Sequence, residues 1–335
     1  MPHDVRARAT LEVLRGLADG WSSPWPRRQI AVGQWASLSP IAELPHPLLA
    51  KAAEQFGSDP AQDVHYDVIA SSGQLQLEEV RCGQWRAGVW TDADGVRWIV
   101  AAGLSKGNHQ DNDDFYEVLK ARVANKRAPS LLPSDDDIRL LKRETAAAAV
   151  LRAELALQQV TADLLAVALT TGTASMDVPA LRGRDQFMRV QLSWATLAGP
   201  DYTCEELVVQ FNDIQRPGSD EYWLLATRVL TSLAPPVQDW DASSNSSFST
   251  MCDRGVTAQR LTRLNECVAT DVLLPAEPGA VSHFTHERHI ARASVEGDGL
   301  RALCGVFFVP TQDPASKDPC PECTRVHSTL PSVTS

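Results

Sequence analysis

The strongest fold signal in the chain is the stretch WRAGVWTDADGVRWIVAA, residues 85–102. Aromatic and β-branched residues fill both ends of the stretch, and a five-residue loop that ends in Asp-Gly separates them. This composition is typical of two antiparallel strands joined in a hairpin. The partly alternating run Leu75–Val80 predicts a further strand, and the amphipathic run His46–Phe56 predicts a helix packed on the resulting sheet.

Beyond the hairpin, the chain shows mostly helical signals. A long helix is predicted from Ser134 to about Leu169, because three aspartates follow Ser134 and apolar residues then recur at helical spacing. Shorter helices are predicted at Arg184–Leu197, Cys204–Phe211 and Asp220–Leu233. The Ser-rich run 241–250 indicates a flexible link.

Cysteines near the end of the chain have the spacing of a zinc site. Cys320 and Cys323 form a C-x₂-C pair, and Cys304, followed by a glycine, precedes them with fifteen residues between. A tetrahedral zinc site needs a fourth ligand, and the candidates are His283, His286, His289 and His327. With four protein ligands no coordination position stays open for substrate, so the pattern favours a structural zinc ion.

Together these signals predict an α+β fold with three domains. Residues 1–127 would form an α+β module around a small antiparallel sheet, residues 134–240 an all-helical domain, and residues 250–335 a zinc ribbon. No internal repeat and no P-loop motif is visible in the sequence.

The composition is that of an ordinary globular protein, with 44% hydrophobic and 22% charged residues. The chain shows no apolar run long enough for a bilayer and no secretory signal, so we expect a cytoplasmic protein whose clustered cysteines bind metal. Its net charge is −11 over 335 residues. This acidic balance argues against general nucleic-acid binding, and any RNA contact has to be local.

The C-terminal stretch resembles an uncharacterised actinobacterial zinc-ribbon-like family. The shared pattern is His283, then Ala302-Leu303-Cys304-Gly305, then Val309-Pro310 and Asp313-Pro314, then Cys320-Pro321-Glu322-Cys323. The resemblance implies that His283 is the fourth ligand, and it implies a metal and a ribbon fold. It implies no activity.

Residues 46–125 are similar to the core of the RelE/HigB toxin superfamily. The similarity is carried by Trp85-Arg86, the Asp94-Gly95 turn, Trp98-Ile99-Val100 and Gly103-Leu104-Ser105-Lys106. It implies a bacterial toxin–antitoxin protein that cleaves messenger RNA on the ribosome without a metal. Arg86 and Lys106 would then hold phosphate, and His109 or Tyr116 would transfer the proton.

Two functions are therefore expected from the sequence. The first is a toxin-like RNA endonuclease or ribosome-interfering protein, with RNA or the ribosome and an antitoxin as partners. The second is a non-enzymatic, zinc-containing interaction or regulatory protein whose acidic middle region binds another protein. The sequence leaves open whether the protein is an enzyme. Convergence of Arg86, Lys106, His109 and Tyr116 on one concave face would favour the first function.

Overall fold

A computed structural model of the protein describes most of the chain. The described residues are 6–38, 40–57, 59–65, 67–107, 111–125, 128–181, 185–199, 203–234, 240–275, 279–286, 290, 300–308, 310 and 313–330. The chain divides into two compact units, residues 1–148 and residues 149–335. Within the described ranges, no helix has both the length and the apolar character needed to cross a lipid bilayer.

The first unit is built on a four-stranded sheet with the order β1-β4-β3-β2. Strand β1 runs parallel to β4, and the other neighbours are antiparallel. The strands are β1 Ala7–Ala9, β2 Glu78–Cys82, β3 Trp85–Thr91 and β4 Arg97–Leu104. The helices are α1 Leu11–Gly16, α2 Pro24–Ala31, α3 Pro47–Gln55 and α4 Phe115–Ala124.

The predicted hairpin is confirmed, because β3 pairs with β4 from Trp85 opposite Leu104 to Thr91 opposite Arg97. Asp92 closes its turn by accepting the backbone N–H of Asp94 and of Val96, each at 2.9 Å. Its second oxygen accepts the indole N–H of Trp98 at 2.8 Å. This bond satisfies the one polar atom of a fully buried side chain, so the turn and the core stabilise each other.

The predicted helix at His46–Phe56 is also confirmed, as α3. It packs against β1 and β2, with Leu48 and Ala52 fully buried among Val80 and Ala87 of the sheet. The sheet's other core cluster contains Trp98 and Val100 with Leu119 from α4. Trp85 and Trp90 are only partly buried.

The second unit contains a five-stranded antiparallel sheet with the order β5-β6-β7-β9-β8. The long helix α5, Asp135–Thr171, includes the boundary between the two units and continues into this sheet. The strands are β5 Thr173–Pro179, β6 Gln186–Ala198, β7 Thr203–Asn212, β8 Asp241–Ser244 and β9 Ser247–Asp253. Helices α6, Asp220–Leu233, and α7, Val256–Ala269, follow β7 and β9.

The expected all-helical middle region is wrong, although the α+β class is confirmed. Strands β6 and β7 occupy described residues of the runs predicted as helices at 184–197 and 204–211, while the helix predicted at Asp220–Leu233 is α6. In β7 the buried positions are Glu205, Leu207, Val209 and Phe211, every second residue. This period of two belongs to a strand with one face on a core.

The prediction of a flexible link for the Ser-rich run at 241–250 is also wrong, because this run forms the β8–β9 hairpin. Its anchor is apolar: Trp240 and Phe248 are fully buried in the core of the second unit. The predicted division into three domains, at residues 1–127, 134–240 and 250–335, stays a prediction.

The chain's last described segment is small. It holds a two-stranded hairpin of β10, Leu300–Arg301, and β11, Phe307–Phe308, followed by helix α8, Pro321–Ser328. Its buried apolar residues are Ala302, Cys320 and Cys323, among those that the structure describes. Cys304 lies in the turn of the hairpin, whereas Cys320 and Cys323 lie at the start of α8.

Candidate metal centre

Short backbone contacts bring four potential metal ligands together. Cys304 lies in the turn between β10 and β11, where Gly305 has a φ of +96° and donates its N–H to the carbonyl of Ala302. Cys320 precedes the first turn of α8, and Cys323 lies within that turn. Pro321 takes the first helical position, where a missing N–H carries no penalty.

His283 is placed by a ladder of backbone hydrogen bonds around Ser282. The N–H of Ser282 donates to the carbonyl of Asp318 at 2.9 Å, and the carbonyl of Ser282 accepts the N–H of Cys320 at 2.8 Å. Two residues after Ser282, the carbonyl of Phe284 accepts the N–H of Leu303 at 2.7 Å. His283 is therefore fixed between the two cysteine-bearing elements.

The four side chains are close enough together to coordinate one metal ion tetrahedrally. The ligand atoms of His283, Cys304, Cys320 and Cys323 all lie within 4.8 Å of one another. The Nδ1 of His283 is 3.4 Å from the Sγ of Cys304 and 3.6 Å from the Sγ of Cys323. Tetrahedral zinc, with Zn–S of roughly 2.3 Å and Zn–N of roughly 2.0 Å, gives an S···N edge of about 3.5 Å.

The surroundings of Cys304 favour its neutral thiol when no metal ion is bound. Burial, and then the nearby thiols of Cys323 and Cys320, raise the pKa of Cys304 to about 12. Without a positive ion the thiol of Cys304 therefore stays protonated at neutral pH. A coordinated divalent cation reverses this preference, because it favours the thiolate directly.

The other candidate histidines are placed differently. The ring of His327 packs edge-on against Phe284 at 5.1 Å, and His286 is exposed. His289 lies outside the described residues. Among the residues that the structure describes, His283 is the histidine that joins the three cysteines. Cys82, Cys204, Cys252 and Cys267 are free thiols outside this group.

The residues predicted to be catalytic in the first unit form a different arrangement. The Nε of Arg86 donates to the hydroxyl of Tyr116 at 3.3 Å, and that hydroxyl donates to the carboxylate of Glu79. Arg86 also lies 3.7 Å from Glu79, and Arg81 donates to the other oxygen of Glu79 at 2.7 Å. We call Glu79, Arg81, Arg86 and Tyr116 the N-terminal polar cluster.

Glu79 is the member that sequence reasoning missed. Its side chain is 4% exposed, yet a glutamate at the start of a strand gives no sign of burial. The signal was the register: Glu79 and Arg81 share one face of β2, and Arg86 pairs directly opposite Arg81 on β3. A carboxylate two residues from an arginine pair is the expected counter-ion.

Lys106 has its own carboxylate partners. Its Nζ lies 2.6 Å from both oxygens of Asp113 and 3.6 Å from Asp111, and the bond to Asp113 raises the pKa of Lys106. Asp114 accepts the backbone N–H of both Lys106 and Tyr116, which ties the loop after β4 to the start of α4. His109 lies outside the described residues.

Comparison with known proteins identifies the C-terminal segment alone. Residues 275–330 match a family described as a protein of unknown function, DUF3039. That segment includes all four residues of the metal centre. No curated protein and no solved structure matches the chain.

The match bears on both resemblances seen in the sequence. An uncharacterised family at the C-terminus is confirmed, and it brings no activity with it. The similarity of residues 46–125 to the RelE/HigB superfamily finds no support in the comparisons and stays a prediction.

Proposed function

We propose that residues 275–330 bind one structural zinc ion through the Sγ atoms of Cys304, Cys320 and Cys323 and the Nδ1 of His283. The observation that carries this proposal is the mutual approach of four soft donor atoms within 4.8 Å. Three thiolates and one imidazole favour zinc over the hard cations, which prefer oxygen. Because all four positions come from protein, the ion would stabilise the fold and would not bind substrate.

For the whole protein, the function best supported is that of a non-enzymatic, zinc-containing interaction or regulatory protein in the cytoplasm. Support comes from the first unit, where the described cations expected to hold RNA phosphate are already paired. Arg86 faces Glu79 and Tyr116, and Lys106 faces Asp113 and Asp111. An incoming phosphate would have to compete with these carboxylates.

RNA cleavage by the first unit is the alternative proposal. The contact between Arg86 and Tyr116 favours it, because a cation and a proton donor then lie side by side. Such a site would need no metal and would act on RNA or ribosomes. Induced expression of the wild type, with growth arrest and transcript cleavage as readouts, separates the two proposals. Absence of both effects in the wild type rejects the enzymatic one.

Zinc binding is tested by elemental analysis of the purified full-length protein. We expect one zinc ion per chain in the wild type and none in Cys320→Ser. Cys267→Ser, which changes a free thiol outside the group, is the matched control and should retain the zinc. A wild-type preparation without stoichiometric metal would reject the proposal.

A further inference from the structure

The segment that carries Cys304 also contacts the sheet of the second unit. The guanidinium of Arg301 lies over the ring of Trp223 on α6, 4.1 Å from its centroid. The Nη2 of Arg301 donates to the side-chain oxygen of Asn245, in the β8–β9 turn, at 3.0 Å. We call Trp223, Ala242 and Asn245 the docking face.

Gly305 makes the third contact with this face. A Cβ placed on Gly305 would lie 2.8 Å from the Cβ of Ala242, so a glycine is needed for the backbone to approach β8 this closely. Its φ of +96° adds a second reason for glycine at this position. Strand β11 lies against α6 as well. The residues three before and one after Cys304 therefore both take part in docking.

Among its described residues, the segment buries little apolar surface. The buried apolar residues there are Ala302, Cys320 and Cys323, and two of these three are proposed metal ligands. Small modules of this kind obtain their folding free energy from the metal, because an apolar core of that size does not offset chain entropy. The position of residues 300–308 thus depends on the ion that Cys304 binds.

Burial of the Arg301 guanidinium costs free energy unless Trp223 and Asn245 are held in contact with it. Burial lowers the pKa of Arg301, and its Nε is buried without a hydrogen bond among the described residues. A guanidinium tolerates this environment only while Trp223 and Asn245 are held in place against it. If residues 300–308 lose their fixed position, Arg301 regains water and the docking face loses its cover.

We propose that zinc makes residues 300–308 a cover over the docking face, so that loss of the metal exposes the partly buried Trp223 and Ala242 and releases Asn245 from Arg301. This inference rests on the proposed zinc binding and adds a consequence for the sheet. The metal would then control access to a surface of the protein that is distinct from the four ligands themselves.

Hydrogen exchange of the full-length protein tests the cover. Zinc-loaded protein is compared with protein treated with a chelator, and exchange is followed in peptides from α6, from β8–β9 and from β3–β4. We expect chelation to speed exchange at the docking face by about tenfold or more, because local opening there becomes easier. Exchange in β3–β4 of the first unit should not change.

Variants separate this inference from zinc binding itself. Arg301→Ala retains all four ligands, so it should still bind one zinc ion, but exchange at the docking face should depend far less on the metal. Arg325→Ala is the matched control, since Arg325 forms an exposed ion pair with Glu322 in α8. It should behave like the wild type.

The outcomes are distinguishable. If one zinc ion binds per chain and exchange at the docking face is the same with and without it, the cover is rejected while the zinc site stands. If elemental analysis finds no zinc, the proposed function fails first, and the cover fails with it. Faster exchange on chelation in the wild type and in Arg325→Ala, but not in Arg301→Ala, supports the cover.

Discussion

The metal centre and the N-terminal polar cluster are both partly buried groups of polar side chains, but they differ in whether those side chains have charged partners within the group. In the N-terminal polar cluster, Glu79 lies among two arginines and a tyrosine hydroxyl, so charge and hydrogen bonds are satisfied within the chain. In the metal centre, three thiols and an imidazole come together in a group that contains no carboxylate. Four soft donor atoms this close together favour a bound zinc ion, whereas the carboxylate and guanidinium groups of the N-terminal polar cluster already have partners within the chain.

The largest effect expected from this contrast is loss of the metal. Cys320→Ser removes one of four ligands, and structural zinc in small modules contributes on the order of 10 kcal/mol of apparent binding free energy. We expect residues 279–330 to lose their protection from proteolysis, while the β5–β9 sheet stays folded. Limited proteolysis with mass spectrometry checks this, and Cys267→Ser serves as the control. Equal resistance of the two variants would contradict a metal-dependent fold.

Breaking the N-terminal polar cluster should cost less. Glu79→Gln removes the charge that faces Arg81 and Arg86, so both arginines lose the carboxylate that they contact. Because Arg81 is largely exposed, we expect a loss of about 2–3 kcal/mol in the free energy of unfolding, below the full value for a buried ion pair. Urea unfolding provides the measurement.

Glu117→Gln is the control for that experiment. Glu117 forms an exposed pair with Lys120 one helical turn away, and its loss should change stability by less than about 0.5 kcal/mol. If Glu79→Gln were equally silent, the N-terminal polar cluster would contribute nothing to the fold. A role in binding would then become the better explanation for its burial.

The response to pH should separate the two groups further. Because the pKa of Cys304 is raised to about 12, zinc binding must release its thiol proton, so zinc affinity should rise about tenfold per pH unit for each such proton. Competition with a chromophoric chelator between roughly pH 6 and 8 measures this slope. A flat affinity would mean that the thiols are already ionised without the metal.

The N-terminal polar cluster should be insensitive over the same range. Burial, and then the bond to Glu79, raise the pKa of Tyr116. A raised pKa favours the protonated form in the folded state, so this contribution is complete below the unfolded value of roughly 10. It is lost only as the pH rises through the higher folded value. The contribution of Tyr116 to the free energy of unfolding should therefore be present in full at neutral pH and should not vary with pH there.

Local signals in the sequence predicted well where the deciding contacts are local. The Asp92 turn lies between the two aromatic strands that it joins, and the two cysteines of the C-x₂-C pair are three positions apart. Each of these signals is local, so the hairpin and this pair of ligands could be predicted from the sequence. The choice of His283 depended on a resemblance, because its position is set by pairing between residues 282 and 319, far apart in the chain.

The error in the middle region has a similar cause. Glu205 and Glu206 after Cys204 look like the acidic first turn of a helix. In the structure Glu205 is buried because it accepts the N–H of Gly255 at 2.7 Å and of Thr257 at 3.1 Å, at the start of α7. These partners lie about fifty residues away, so the sequence around Glu205 gives no sign that its carboxylate is buried. A charged residue at a buried position interrupts the alternation of apolar and polar residues that would have indicated a strand.

Lys106→Ala is expected to have the smallest effect on stability, and it is the sharpest test of the comparison. Lys106 is exposed and its pair with Asp113 is open to solvent, so the midpoint of urea unfolding should match that of the wild type. Asp113→Asn, which removes the same ion pair from its other side, is the control. Should the wild type arrest growth and cleave transcripts, loss of both effects in Lys106→Ala at unchanged stability, with both retained in Asp113→Asn, would mean that Lys106 acts on RNA. The ion pairs of Lys106 with Asp111 and Asp113 would then exist only in the absence of RNA, and substrate would replace them. The interaction-protein proposal would be wrong.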